Sequence, residues 1–203
     1  MQSLFRCTGK SALTVGSWSF EGREGKPVQL EVYADAEEVE LFLNGKSAGK
    51  AIITEKDRYK AAFELLWQPG TIEAVAYRSG TVCGRCALTS AAGAPSLSIE
   101  PECAEVSFRQ RDVVFVPIRA AGENGQTLLQ RKDTVSVCID GPAELLGFGS
   151  DDPVTEEGFT APQRRLYDGR ELLVLRPTST GQITVTAASQ TLPAASASIT
   201  VRE

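Results

Sequence analysis

The most regular alternation of apolar and polar positions in the chain lies between Val28 and Lys50, VQLEVYADAEEVELFLNGKSAGK. Val28, Leu30, Val32 and Ala34 alternate with Gln29, Glu31, Tyr33 and Asp35. A period of two is what a strand with one buried face requires. Ala36-Glu37 turns the chain, and Val39, Leu41 and Leu43 then alternate with Glu38, Glu40 and Phe42. Asn44-Gly45 follows, a pair suited to the two positive φ angles of a type I′ turn, so a returning strand is predicted from Lys46. On a helix the same apolar residues would scatter around the whole circumference.

The pattern recurs on both sides of this segment. Ala12 to Val15 is predicted as a short first strand, while Leu4 and Phe5 are expected only to pack as an entering segment. Tyr59, Ala61, Phe63 and Leu65 form the inward row of a further strand that Gln68-Pro69-Gly70 ends. Thr71 to Arg78 places Ile72, Ala74 and Ala76 on one side and Val75 and Tyr77 on the other; Ser79-Gly80 turns the chain into Thr81 to Thr89. The second half begins with Leu97 and Ile99, then Val106 and Phe108, then the apolar run Val113 to Ala121. Pro117 in that run implies an edge strand or a bulge, because it cannot donate to a ladder. Thr134 to Asp140, Glu144 to Phe148, Glu171 to Arg176, Gly181 to Ser189 and a last strand through Ala197, Ile199 and Val201 follow. About seven short strands per half, separated by turn signals, predict an all-β chain of two tandem immunoglobulin-like antiparallel β-sandwiches. The small, flexible stretch SAAGAPS, Ser90 to Ser96, marks the boundary, giving domains 1–90 and 91–203.

Composition narrows the function. A length of 203 residues accommodates two small domains. A net charge of -5 argues against a nucleic-acid partner, which favours a basic face. No apolar run approaches the ~18 residues of a membrane span, and MQSLFRCTGK lacks the apolar segment of a signal peptide. Histidine is absent, which removes the Ser-His-Asp and Cys-His arrangements and the usual zinc sites. No catalytic residue, metal site or cofactor is therefore assigned. The five cysteines, Cys7, Cys83, Cys86, Cys103 and Cys138, are odd in number. The CGRC pair lies in a predicted strand rather than at the start of a helix, where a redox pair belongs. They read as buried free thiols, which favours a bacterial cytoplasm, with a secreted or periplasmic parent as the alternative; the compartment is left unassigned.

Two groups of residues are candidates for chemistry. Trp18, Tyr33, Phe42 and Trp67 could form a sugar-stacking platform, with Tyr33 and Phe42 exposed together on one outer sheet; the alternative for Trp18 is that it caps one end of the core with Phe20. The one long connection, Gly149 to Gly169, holds Asp151, Asp152, Glu156 and Glu157, candidates for a loop interface or an ion site, although their spacing matches no calcium loop. The loop is expected to dock through its own Phe159 and Tyr167.

Four stretches together resemble the C-terminal region of glycoside hydrolases of family 2, of the β-galactosidase type: LEVYADAEEVELFLNGKSAGK (residues 30–50), YKAAFELLWQPGTIEAVAY (59–77), GPAELLGFGSDDP (141–153) and FTAPQRRLYDGRELLVLRPTSTGQITVTA (159–187). The chain departs from the family pattern at Ala48, where Leu is common, at Ser150 and Asp151, where Asn and Gly are usual, and at Asp168, where Asn is usual. The resemblance implies immunoglobulin-like accessory domains whose partner is the catalytic barrel of a parent enzyme. In such enzymes two glutamates of a (β/α)8 barrel perform retaining hydrolysis. A barrel needs ~250 residues, and no residue here matches either glutamate. The leading expectation is thus a non-catalytic accessory region. Its alternatives are a carbohydrate-binding module, with carbohydrate as partner, and a cell-surface or adhesin spacer.

Overall fold

Among the described residues the alternating rows fold into 17 strands and one 3-10 turn, Glu55–Asp57. The structure, a computed structural model, describes residues 4–8, 14–109, 112–150 and 152–203, with backbone alone for 4–8 and 14–15. The chain divides into two compact units, residues 1–91 and 92–203.

The first unit contains β1 (Leu4–Thr8), β2 (Thr14–Val15), β3 (Pro27–Tyr33), β4 (Glu38–Leu43), β5 (Lys46–Ile52), β6 (Lys60–Leu66), β7 (Thr71–Arg78) and β8 (Thr81–Thr89). They form two sheets of order β2-β1-β3-β6 and β5-β4-β7-β8. Val28, Leu30 and Val32 of one sheet face Val39, Leu41, Ile72, Ala74 and Ala76 of the other in a single core. The type I′ turn forms as the sequence predicts: Asn44 and Gly45 have φ of 50° and 77°, and β4 pairs with β5. The chain between β3 and β4 instead crosses from one sheet to the other. Leu4–Thr8 is a strand paired with β3, where only an entering segment is expected from the sequence. Ala12 lies outside the described residues. Tyr59 is exposed instead of inward, because it sits at φ 56° in the turn before β6.

The second unit contains β9 (Ser96–Ile99), β10 (Glu105–Ser107), β11 (Val114–Ala121), β12 (Thr134–Asp140), β13 (Ala143–Gly149), β14 (Gln163–Arg165), β15 (Arg170–Pro177), β16 (Gly181–Ser189) and β17 (Ala195–Arg202). Its sheets have the order β10-β17-β16-β12-β14 and β13-β15-β11-β9, the two-sheet partition of an immunoglobulin-like sandwich. The pairing is antiparallel except between β10 and β17, which run parallel. Pro117 lies on an inner strand, flanked by β15 and β9, and not at an edge. Its carbonyl accepts a hydrogen bond from Glu100 N at 3.1 Å, just past the end of β9. In an antiparallel ladder a residue's N and O point to the same neighbour, so the missing N–H falls where that neighbouring strand has stopped.

Candidate functional site

The two tryptophans are structural. Trp18 is 0% and Trp67 3% exposed. Together with Phe20 they form a triangle of rings with centroids 6.2–6.3 Å apart, within the range of favourable aromatic packing. Each indole N–H has a partner: Trp18 Nε1 donates to Gln68 O at 3.0 Å, and Trp67 Nε1 donates to Trp18 O at 3.1 Å. This cluster belongs to the core of the first unit and presents no free ring face for stacking. Tyr33 and Phe42 are half-buried and lie on different sheets, β3 and β4. Because both point away from the core, they face opposite sides of the sandwich. The expected row Trp18, Tyr33, Phe42, Trp67 is therefore not assembled; the crossing between β3 and β4 separates its members.

The outer face of β5-β4-β7-β8 carries a cluster of paired charges. Lys50 Nζ reaches Glu38 at 3.1 Å and Glu40 at 3.4 Å, and lies 5.3 Å from the Tyr77 ring centroid. Ser47 Oγ donates to Glu40 at 2.8 Å. That hydroxyl first, and then Lys50, hold the Glu40 carboxyl below its ordinary value against an opposing desolvation. A carboxylate stabilised in its charged form and paired with a lysine, as Glu40 is, is suited to surface cohesion rather than to acid catalysis.

The long connection is organised by a residue the sequence does not single out. Arg164, on β14, is buried and points inward opposite Val135. It donates from Nη1 to Glu157 O at 3.1 Å and from Nη2 to Thr155 Oγ1 at 3.2 Å. Its Nε lies 3.6 Å from a Glu157 carboxylate oxygen and 4.0 Å from one of Glu171 on β15, in the facing sheet. The guanidinium also stacks 4.7 Å from the centroid of Phe159. The loop is thus docked by Arg164 and the buried Leu166, whereas Phe159 is exposed and Tyr167 only half-buried. Of the acidic candidates, Asp152 accepts from Val154 N at 3.1 Å, and Glu157 accepts from Arg165 N at 3.3 Å. Glu156 is exposed, and Asp151 lies outside the described residues. Among the described residues no group of three or more acidic, cysteine or histidine side chains is placed to hold a metal ion.

The cysteines correct another expectation. Cys83, Cys103 and Cys138 are exposed free thiols and Cys86 is intermediate, so burial does not account for them. Cys138 sits on the outward row of β12, between inward Val137 and Ile139. Cys83 is skipped by the ladder, because Ala76 pairs with Gly84 and Tyr77 with Val82. Cys7 is described by its backbone only.

A concavity of about 880 Å³ lies on the outer face of β13-β15-β11-β9. Strand register places Gly149, Leu172 and Pro117 in one row across this face, and Gly147, Val174 and Phe115 in the next. Arg170 and Arg119 stand opposite each other at one end.

Fold and surfaces define a tandem immunoglobulin-like β-sandwich module. The profile of glycoside hydrolase family 2 C-terminal domain 5 matches residues 97–198, half of the chain, and a domain of unknown function (DUF4982) matches residues 25–84. The chain belongs to the glycoside hydrolase family 2 C-terminal domain family. It is 27% identical to the β-galactosidase BoGH2A of Bacteroides ovatus over 84% of its own length but 20% of that protein's. A putative β-glucuronidase of Formosa agariphila is 30% identical over 76% of this chain and 15% of its own length. The crystal structure of a glycosyl hydrolase family 2 member from Bacteroides cellulosilyticus superposes with a TM-score of 0.90 and 29% identity, covering 99% of this chain and 28% of that one. The chain therefore spans less than a third of each of these relatives.

Proposed function

We propose that this chain is the non-catalytic C-terminal accessory region of a bacterial family 2 glycoside hydrolase of the β-galactosidase type, packing against or extending its catalytic domain. The observation that carries this reading is the superposition of 99% of the chain on 28% of a family 2 enzyme. The chemistry on the surface supports it, since Glu38, Glu40 and Glu157 are engaged by Lys50, Ser47, Arg164 and Arg165. The purified chain is expected not to hydrolyse nitrophenyl galactosides, glucuronides or mannosides above a buffer blank. Turnover that survives repurification and disappears when one carboxylate is replaced would overturn the proposal.

A further inference from the structure

The groove on the outer face of β13-β15-β11-β9 owes its shape to two glycines. A Cβ at Gly149 would lie 2.4 Å from the Phe159 ring, and one at Gly147 would have nothing nearer than 3.9 Å. With no side chain at either glycine, the floor is set by Leu172, Val174 and Pro117, and Phe159 is laid over Gly149 as a wall. Phe159 is held by the Arg164 guanidinium yet is 55% exposed. Phe115 and Leu172 are 40% and 38% exposed on the same face. Isolated exposed apolar residues need no explanation, but a contiguous apolar face does.

Charge at one end of the groove is unbalanced. Arg119 and Arg170 face each other across β11 and β15, where like charges repel. Glu100 pairs with Arg119, while Arg170 has no ion pair among the described residues. Elsewhere the rim is neutralised, as by Arg176 and Glu144 at 2.9 Å. An apolar centre inside a rim of charged pairs is the anatomy of a protein interface. A sugar would need partners for its hydroxyls across its whole ring; the aliphatic floor of Pro117, Leu172 and Val174 offers none, and the charged groups Glu100, Arg119 and Arg170 gather at one end. As for the source of the partner, this region occupies only 15–28% of single, longer chains in the relatives.

We propose that this face docks another domain of the same glycoside hydrolase polypeptide, one presenting apolar side chains to Leu172, Val174, Phe115 and Phe159 and a carboxylate to Arg170. The proposal rests on the accessory reading above. Hydroxyl-radical footprinting of this chain and of the intact enzyme tests it. Phe115, Phe159 and Leu172 are expected to oxidise freely in the chain and to be protected in the enzyme. Leu172→Asp and Arg170→Ala should lower the melting temperature of the enzyme by several degrees more than that of the isolated chain. Protection of other surfaces, such as Ile52 or Leu66, with the groove still oxidised would sink the docking face while sparing the accessory reading. A gene that encodes no catalytic domain would sink both. Groove protection in the isolated chain together with a dimer in sedimentation would make a second copy the occupant and overturn the proposal. Protection that requires added oligosaccharide would overturn it in favour of a sugar site.

Discussion

Single residues set both turns and thiol chemistry. Gly45 has φ 77° and open space around its missing Cβ, so Gly45→Ala should cost only the left-handed strain of ~1–2 kcal/mol. Gly141 has φ 104°, and a Cβ there would meet the Gln182 carbonyl oxygen at 2.1 Å. Gly141→Ala should therefore exceed Gly45→Ala by ~1–3 kcal/mol in urea unfolding, the range of overpacking. Equal losses would mean that the backbone at Gln182 yields. The need for Gly45 was legible from Asn44-Gly45, whereas the approach of Gln182 to Gly141 is a tertiary fact that no local pattern carries. The same limit applies to the thiols. Alternation located the strand of Cys83 and Cys86 but not the bulge that leaves Cys83 unpaired. Burial pushes the Cys86 thiol up, and the thiolate is the reactive form. In timed alkylation followed by mass spectrometry, Cys83, Cys103 and Cys138 should label before Cys86.

At the level of elements, β14 was hidden because Gln163-Arg164-Arg165 has no apolar alternation, and paired arginines read as a solvated face. The structure buries Arg164 between the sheets instead, beside Glu171. Arg164→Ala removes that ion pair together with the hydrogen bonds to Glu157 O and Thr155 Oγ1, so it should cost the second unit ~3–5 kcal/mol. Arg164→Lys, which keeps the charge without the forked hydrogen bonds, should recover only part of that loss in urea unfolding. A second element-level prediction concerns acid. Glu40 on β4 has a folded pKa below its unfolded one, so its contribution is present above the unfolded value and is lost as pH falls through the folded value. Glu40→Gln should give a shallower acid decline in denaturant midpoints between neutral and strongly acidic pH. An unchanged slope would show that Ser47 and Lys50 do not hold the carboxylate in solution.

Over the whole molecule, the two-sandwich architecture was legible because each strand keeps one apolar row, and rows of that kind must close on one another. What the rows could not specify is which sheet each strand joins. That assignment decides the fate of the aromatic candidates, since β3 and β4 fall in different sheets and carry Tyr33 and Phe42 to opposite sides. Isothermal titration against galactans, xylans and simple β-galactosides is accordingly expected to give no binding tighter than ~1 mM, about 4 kcal/mol. Micromolar affinity lost on Tyr33→Ala, with the fold intact, would restore a stacking role.

The parallel pair β10 and β17 has a mechanical consequence. Glu105, Val106 and Ser107 lie beside Thr200, Val201 and Arg202. Ion pairs add to the seam, Glu105 with Arg202 at 2.7 Å and Arg109 with Glu203 at 3.0 Å. When the second unit is pulled between Ser96 and Glu203, β10 is drawn toward its N-terminal end and β17 toward its C-terminal end. Because the strands run the same way, those pulls oppose each other along a common axis, and the ladder is loaded in shear instead of being peeled open one bond at a time. Val106→Pro, which deletes an amide donor in that seam, should lower the rupture force in single-molecule stretching; an unchanged force would place the resisting bonds elsewhere. A module built this way can transmit tension along its chain without opening its core.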